Sequence, residues 1–289
     1  MTINEIKYLL EQYGIRPSKS KGQNFLINKE ILKKIVAAAD LKNDDNVLEI
    51  GPGLGILTED LIKNSKKVLS VELDKRLIFF LKQKFAHQKN LEIFEGDILR
   101  IKNSQIANLL DCQKAGYKVV ANLPYNITKP VLRKFLTYEP RPKLMVVLVQ
   151  KEVAQKITAK PGEMSLLSLS VQLYGQPEII GYVGKENFYP QPKVDSAILK
   201  IVFWPQNLAP EISQILDKNM QFAANKFWQM VKFGFSSPRK QLQNNLSAGF
   251  KIPKDEVILR LKTAKLSAKI RAQDLALSDW LNLYQKFVV

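Results

Sequence analysis

Cysteine and histidine are almost absent from this chain of 289 residues, which contains one of each, Cys112 and His87. A lone cysteine cannot form a disulfide within the chain, and one residue of each kind cannot build a Cys/His zinc site. Cys112 lies in a polar link, and His87 ends a run of Lys, Phe and Gln, so neither is placed as in a Ser-His-Asp triad. We therefore expect chemistry that uses no metal ion and no imidazole.

Long apolar runs and an excess of acidic residues are missing as well. No run approaches the ~20 apolar residues that span a bilayer, and the N-terminus lacks the basic-then-apolar layout of a signal peptide. We therefore expect a cytoplasmic protein. The 44 Lys and Arg residues against 27 Asp and Glu residues give a formal charge of +17, which predicts a polyanionic partner. A soluble protein that is merely basic is the plainer alternative.

Short β-like runs alternate with amphipathic segments over the first two thirds of the chain, which predicts an α/β fold with helices on both faces of a sheet. The link between the last two runs is short and proline-rich, so this end of a mostly parallel sheet should be antiparallel. After Trp204 the pattern becomes helical. We expect an α/β domain over residues 1–205 and a small all-α domain over residues 206–289. The predicted strands are Asn46–Ile50, Lys67–Leu73, Leu91–Glu95, Lys118–Ala121, Leu144–Val149, Ile179–Val183 and Ala197–Phe203.

The motif Asn122–Tyr125 (NLPY) follows an apolar run, where a buried strand would meet a loop. The Asn122 carboxamide and the backbone carbonyl of Leu123 or Pro124 can accept hydrogen bonds from an exocyclic NH2 group. Tyr125 offers a ring face for stacking. Hydrogen bonds of this kind would help to localise the nitrogen lone pair, so the motif indicates N-methylation of an adenine.

A second motif, Val47–Gly55 (VLEIGPGLG), is typical of a strand that enters a glycine-rich turn, where a ligand can approach bare backbone. Its G-x-G-x-G spacing argues against NAD without excluding it. Glu72 ends the next strand, where a carboxylate can bind ribose hydroxyls, whereas Asp74 is better suited to cap the following helix. Asp97 ends the third strand and could reach an adenine amino group. Acceptors at successive strand ends fit an adenosyl cofactor.

Together these motifs resemble the ribosomal RNA adenine N6,N6-dimethyltransferase family of class I S-adenosylmethionine-dependent enzymes. The resemblance covers nearly the whole chain and implies a Rossmann-like seven-stranded sheet, with S-adenosyl-L-methionine as the cofactor. It is carried by Lys21–Leu26 (KGQNFL), Glu49–Gly55 (EIGPGLG), Glu72, Gly96-Asp97, Asn122–Tyr125 (NLPY), Phe188–Ser196 (FYPQPKVDS) and Arg271-Ala272.

The resemblance also implies the roles of individual residues. Tyr125 and Phe188 would be two aromatic walls around a flipped adenine, and Asn122 would bridge the cofactor and the target. An ordinary core position is the alternative for Phe188, and a helix cap is the alternative for Asn24. The cofactor-binding residues implied are Asn24 and Leu26 as a cover, Gly51 and Gly53 at the amino-acid portion, Glu72 at the ribose, Asp97 at the adenine, and Asn122.

The activity that the resemblance implies is dimethylation of two adjacent adenines in the 3′-terminal hairpin of 16S small-subunit rRNA. A monomer would act on the assembling 30S ribosomal subunit, late in its biogenesis. One alternative is an erythromycin-resistance methyltransferase, which acts on large-subunit rRNA. Another is a non-catalytic nucleic-acid-binding factor on the same fold.

RNA contacts are expected to be spread over basic surface. A segment near Arg239 resembles the family's C-terminal basic segment, although Pro238 stands where another basic residue is usual. The candidate residues are Lys19, Lys21, Arg133, Lys134, Arg141, Lys143, Lys151, Lys156, Lys160, Lys232, Arg239 and Lys240.

Overall fold

The chain divides into two units, which are described separately. This computed structural model describes residues 2–17, 22–112, 116–204 and 221–288. The first unit comprises Met1–Ala154 and Gln176–Phe203, and the second comprises Gln155–Gly175 and Trp204–Val289. Among the described residues, no helix is both long and apolar enough to cross a membrane.

Within the described ranges, nine strands and seven α-helices are assigned to the α/β unit, and the last of these helices runs past the unit's boundary at Ala154. Its helices are α1 (Ile3–Gln12), α2 (Lys29–Ala39), α3 (Ile56–Lys63), α4 (Lys75–Lys84), α5 (Asn103–Leu109), α6 (Thr128–Thr137) and α7 (Lys151–Ile157), with a short 3-10 helix at Lys185–Asn187. Its strands are β1 (Phe25–Leu26), β2 (Asn46–Ile50), β3 (Lys67–Glu72), β4 (Leu91–Glu95), β5 (Lys118–Asn122), β6 (Leu144–Gln150), β7 (Gly175–Val183), β8 (Phe188–Tyr189) and β9 (Ser196–Phe203).

Seven of these strands form one sheet in the order β4-β3-β2-β5-β6-β9-β7. The neighbouring pairs β4-β3, β3-β2, β2-β5 and β5-β6 are parallel, and β9 runs antiparallel to β6. The predicted mostly parallel sheet with an antiparallel end is therefore confirmed. The predicted strand limits agree closely with the structure, except that β7 begins at Gly175 instead of Ile179.

The central strands are mostly apolar, as is typical of strands in a sheet with helices on both faces. Every residue of β2 is buried, including the charged Glu49. Helix α2 is capped at its N-terminus by Asn28, whose side chain accepts hydrogen bonds from two backbone N–H groups of the first turn. The alternative of a helix cap at Asn24 is therefore wrong.

The all-α unit has a hydrophobic core of its own, which includes Phe227, Leu246 and Trp280. Its helices are α8 (Leu166–Gln172), α9 (Gln221–Gly234), α10 (Leu242–Phe250), α11 (Lys254–Thr263) and α12 (Leu277–Val288), with a 3-10 helix at Ala272–Asp274.

The division of the chain differs from the predicted boundary at residue 205, which itself lies outside the described residues. The structure groups Gln155–Gly175 with the later helices. The reason is packing: Leu169 and Leu173 belong to the core of the all-α unit, and the Trp204 indole donates a hydrogen bond to the Gln172 carbonyl at 3.2 Å. A sequence boundary drawn where strands stop cannot detect an earlier segment that returns to join the later helices.

Candidate active site

A cavity of about 260 Å³ opens at the carboxyl ends of β2 to β5. Ligands bind at this edge of open α/β sheets because the loops that follow the strands leave a crevice there. The cavity wall includes most of the residues predicted from the sequence: Asn24, Leu26, Gly51, Gly53, Glu72, Asp97, Asn122, Leu123, Pro124 and Tyr125.

The glycine-rich turn after β2 presents bare backbone to this cavity. Gly51 has φ +67° and Gly53 has φ +59°, a left-handed conformation that glycine adopts without a steric penalty. A Cβ atom on Gly53 would lie 3.0 Å from the Phe25 ring. Both the backbone conformation and the close approach of Phe25 therefore require glycine here.

Glu72 ends β3 with its carboxylate held by neighbouring backbone amides. Its Oε1 accepts hydrogen bonds from the N–H groups of Leu73 (2.8 Å) and Asp74 (2.9 Å), and its Oε2 lies 3.4 Å from the Gly53 nitrogen, which donates to it. Burial raises the pKa of Glu72, although these amides act in the opposite direction. Asp74 caps α4, as its sequence position predicts, and Glu72 remains directed to the cavity wall.

Asp97 follows β4 and places a second carboxylate on the wall. Its Oδ1 accepts a hydrogen bond from the Leu99 N–H at 2.9 Å. Its Oδ2 lies 3.6 Å from Nε of Arg100, an exposed side chain. The carboxylate is thus oriented by a local turn, as expected for an acid placed directly after a parallel strand.

Asn122 joins the NLPY motif to the segment that contains Asn24. Its Nδ2 donates a hydrogen bond to the Asn24 carbonyl at 2.9 Å, while the Asn24 side chain donates to the Gly22 carbonyl at 3.2 Å. The Asn122 Oδ1 accepts no hydrogen bond from the residues that the structure describes. An acceptor oxygen of fixed orientation is therefore left at the cavity.

The two backbone carbonyls considered in the sequence are not equivalent. The Pro124 carbonyl already accepts hydrogen bonds from the Ile127 N–H (3.1 Å) and the Thr128 hydroxyl (3.3 Å). The Leu123 carbonyl accepts none within the described ranges. Leu123 is therefore the better candidate for an acceptor of an exocyclic amine.

Tyr125 is fixed through its hydroxyl, which lies 2.6 Å from the Ser196 hydroxyl. Ser196 is fully buried at the start of β9. Burial raises the pKa of Tyr125, so the phenol remains neutral and can take part in this hydrogen bond. The ring is thus held at both ends, by its backbone and by its hydroxyl.

Phe188 does not line the cavity. It is only 3% exposed and belongs to a hydrophobic cluster that also includes Leu26. It pairs with Leu26 in the small antiparallel sheet of β1 and β8, and Leu26 does line the cavity. The ring is therefore buried and does not form part of the wall that the sequence assigned to it.

Glu49 was part of a quoted motif but received no role from the sequence. It is 1% exposed and lines the cavity, and its Oε2 accepts hydrogen bonds from the hydroxyls of Thr58 (2.7 Å) and Ser70 (2.6 Å). Its Oε1 has no partner among the described residues. Burial raises the pKa of Glu49 to about 7. The signal was available, because a charged residue within a buried strand is rare.

Cys112 and His87 do not contribute to the cavity wall. Cys112 is buried, and burial raises the pKa of its thiol to about 11, which disfavours a nucleophilic thiolate. His87 is exposed. No group of three or more His, Cys, Asp or Glu side chains suited to a metal ion occurs within the described ranges.

Comparison with known proteins places these residues in a family. The family described as "Ribosomal RNA adenine dimethylase" matches residues 16–288 of the chain. A protein of Dehalococcoides mccartyi named "Ribosomal RNA small subunit methyltransferase A" is 42% identical, with 96% of this chain and 90% of that protein aligned. A Bacillus cereus protein of the same name is 35% identical, over 100% of this chain and 97% of its own.

Two solved structures share this architecture. A dimethyladenosine transferase from Plasmodium falciparum has a TM-score of 0.74 and 27% identity, covering 91% of this chain and 97% of that one. The 23S rRNA methyltransferase ErmE has a TM-score of 0.72 and 26% identity, covering 92% and 100%. An enzyme named for 23S rRNA therefore shares this fold, so the fold by itself does not identify the RNA target.

Proposed function

Because this chain belongs to the ribosomal RNA adenine dimethylase family, we propose that it dimethylates N6 of adenine in small-subunit rRNA, with S-adenosylmethionine as the methyl donor. The observation that carries the proposal is the pairing, on one cavity wall, of the unoccupied Asn122 Oδ1 acceptor with the anchored ring of Tyr125. The target is two adjacent adenines of the 3′-terminal hairpin.

The cavity suits S-adenosylmethionine, which is a cation with an adenosyl group. The turn at Gly51 and Gly53 offers bare backbone to the amino-acid portion of the cofactor. Glu72 offers its carboxylate to the ribose, and Asp97 offers its carboxylate to the adenine. The buried Glu49 oxygen without a partner favours a positively charged ligand. Asn24 and Leu26 complete the wall as a cover. The cofactor supplies a methyl group on a sulfonium, which is a strong electrophile.

The residues of this chain orient and activate the target amine. Adenine N6 is a poor nucleophile because its lone pair is delocalised into the ring. Hydrogen bonds from the NH2 group to Asn122 Oδ1 and to the Leu123 carbonyl would direct the two hydrogens and help to localise the lone pair. Orientation of this kind supplies much of the acceleration in a displacement between two bound groups. The N6 cation that methyl transfer forms is acidic enough to release its proton to water, so the pocket needs no histidine.

Aromatic side chains would hold the flipped base in position. Tyr125 is in place at the wall, and stacking on such a ring stabilises a bound base by about 1–3 kcal/mol. Phe188 provides the second face in this proposal. Because its ring is buried in a hydrophobic cluster and does not line the cavity, it would have to turn outward when the base enters.

The substrate is rRNA, and we propose that the assembling small ribosomal subunit presents it to a monomer of this protein. The all-α unit supplies RNA contacts together with basic surface of the α/β unit. Arg239 and Lys240 are exposed in the turn between α9 and α10. Lys19 and Lys21 lie outside the described residues. Arg141 is engaged by Glu139, with 2.5 Å between the guanidinium and the carboxylate.

The proposal is tested by transfer of tritiated methyl groups from S-adenosylmethionine to unmethylated small subunits and, separately, to naked large-subunit rRNA. Wild type is compared with Asn122→Ala and with the control Asn43→Ala, which changes an exposed loop asparagine. We expect labelled N6,N6-dimethyladenosine on small subunits only, lost in Asn122→Ala and retained in the control.

Other outcomes would replace the proposal. Label on large-subunit rRNA alone would assign the protein to the erythromycin-resistance group. The 23S rRNA methyltransferase ErmE has a similar fold. Binding of RNA without any methyl transfer would indicate a non-catalytic factor.

A further inference from the structure

A second concavity lies on the α/β unit, with a volume of about 880 Å³. One wall is the segment Leu99–Ser104, which follows Asp97, and the other is the exposed side of α6 with the residues directly after it. We call it the basic groove. Its second wall consists of Lys129, Pro130, Arg133, Lys134, Tyr138 and Glu139.

The groove carries uncompensated positive charge. Lys102, Lys129 and Arg133 are exposed and form no ion pair with any described residue. Its acidic residue, Glu139, is neutralised by the Arg141 guanidinium at 2.5 Å. The groove therefore presents several free cations and no free carboxylate of its own.

Lys134 holds the two walls together. It is 8% exposed, and its ammonium donates a hydrogen bond to the Ile101 carbonyl across the groove floor. Burial lowers the pKa of Lys134, while the Asp97 carboxylate opposes this effect. A buried ammonium that bridges α6 and the segment after β4 makes the groove a fixed feature of the fold.

The groove adjoins the candidate active site. Leu99 lines both the groove and the cavity, and Ile127 of the cavity wall lies two residues before Lys129 of the groove. Tyr138 stands at the groove with 61% of its surface exposed, so its ring is available for stacking. Basic side chains beside an exposed aromatic ring are the combination that binds single-stranded nucleic acid.

We propose that the basic groove binds the phosphate backbone of the RNA strand that flanks the target adenine. The inference rests on the proposed function only in taking RNA as the substrate. Lys102, Lys129 and Arg133 neutralise phosphates, and Tyr138 stacks on an unpaired base. A base flipped into the cavity must leave its neighbouring nucleotides outside, and the groove receives them where it meets the cavity at Leu99.

The test compares two double variants that remove equal charge from the α/β unit. The groove variant is Lys129→Gln/Arg133→Gln. The control variant is Lys66→Gln/Lys89→Gln, which changes two exposed lysines. These lysines directly precede β3 and β4, so they lie at the amino ends of parallel strands and therefore at the opposite sheet edge. Binding to unmethylated small subunits and to deproteinised small-subunit rRNA is measured between about 50 and 200 mM KCl at constant Mg²⁺. Affinity for S-adenosylhomocysteine and the methyl-transfer rate at saturating subunits are measured on the same preparations.

We expect the groove variant to raise Kd for both RNA ligands about tenfold. The plot of log association constant against log salt should become less steep by about 1.4, which corresponds to two lost single-strand phosphate contacts. Its affinity for S-adenosylhomocysteine and its saturated rate should stay within about twofold of wild type. Tyr138→Ala should raise Kd without changing the salt slope, because the ring carries no charge.

Two results would overturn the proposal. One is a groove variant whose Kd and salt slope equal those of the lysine control. The other is weaker binding to subunits with unchanged binding to deproteinised rRNA, which would assign the groove to a ribosomal protein. A failure of the proposed function can be told apart from a failure of the groove proposal. In the first case the wild-type protein would transfer no methyl group, regardless of how the groove variant binds RNA.

Discussion

The cofactor end and the target end of the cavity are held by different kinds of contact. At the cofactor end, the Glu72 carboxylate accepts hydrogen bonds from Leu73 and Asp74, the next two residues along the chain. At the target end, Asn122 contacts the Asn24 carbonyl 98 residues away, and Tyr125 contacts Ser196 71 residues away. The Glu72 carboxylate is therefore held mainly by its own turn, with one longer contact from the Gly53 N–H at 3.4 Å, whereas the target end is held by partners far away in the chain.

This difference suggests how the two ends respond to change. A carboxylate fixed by its own turn keeps its position as long as the strand before it is formed. A ring or amide that contacts a distant residue also depends on how the segment carrying that residue packs. We expect substitutions at the cofactor end to alter cofactor affinity, and substitutions at the target end to alter methyl transfer.

Substitution of Phe188 gives the largest expected change in free energy, through the stability of the fold. It also tests whether the target end uses one aromatic ring or two. Phe188→Ala should lower the free energy of unfolding by about 3–5 kcal/mol, because it empties a core position. Phe188→Leu should cost less than about 1.5 kcal/mol, because it largely preserves volume. In the proposed role, Phe188→Leu should nevertheless lower methyl transfer about tenfold. Urea denaturation measures the change in stability, and single-turnover rates measure methyl transfer. Unchanged methyl transfer in Phe188→Leu would show that Phe188 is only a core residue.

Asn122→Ala should lower the single-turnover methyl-transfer rate by about 100-fold or more, as expected when a hydrogen bond that orients the reacting group is removed. Asn122→Ala also removes the hydrogen bond to the Asn24 carbonyl, so the Kd of S-adenosylhomocysteine should rise by a few-fold. If the Kd rises as much as the rate falls, Asn122 belongs to the cofactor end and the comparison is incorrect.

Glu49 tests the cofactor end through pH. Its pKa is raised from 4.5 to about 7, so the folded protein keeps a proton that the unfolded chain loses between these values. The contribution of Glu49 to wild-type stability should therefore fall as pH rises through this window. Glu49→Gln lacks this titration, so its stability relative to wild type should increase between about pH 5 and pH 8, on the order of 1–3 kcal/mol. Urea denaturation at both pH values measures this, and a constant difference would contradict a buried, titrating Glu49.

Ser196→Ala gives the smallest expected effect at the target end. It removes the partner of the Tyr125 hydroxyl but leaves the ring in place, so methyl transfer should fall by only a few-fold. Tyr125→Phe removes the same hydrogen bond from the other side. If Ser196 acts through Tyr125, the double variant should be no slower than either single variant. Additive losses would give Ser196 a separate role.

The same contrast explains what could be read from the sequence. Glu72 and Asp97 were predictable because parallel strands end at one edge of the sheet, so a strand pattern alone places their carboxylates together. The anchoring of Tyr125 by Ser196 was not predictable, since it depends on where β9 packs. The burial of Phe188 is also tertiary, because its pairing with Leu26 joins segments far apart in the chain.

The most direct test of the two-ended cavity compares Glu72→Gln with Tyr125→Ala in parallel. Titration calorimetry with S-adenosylhomocysteine gives cofactor affinity, and single-turnover transfer to unmethylated small subunits at saturating S-adenosylmethionine gives the chemical rate. We predict that Glu72→Gln weakens cofactor binding at least tenfold and largely retains the saturated rate, whereas Tyr125→Ala retains cofactor affinity and loses transfer about tenfold or more. Equal losses of affinity and rate in both variants would contradict the division of the cavity into a cofactor end and a target end.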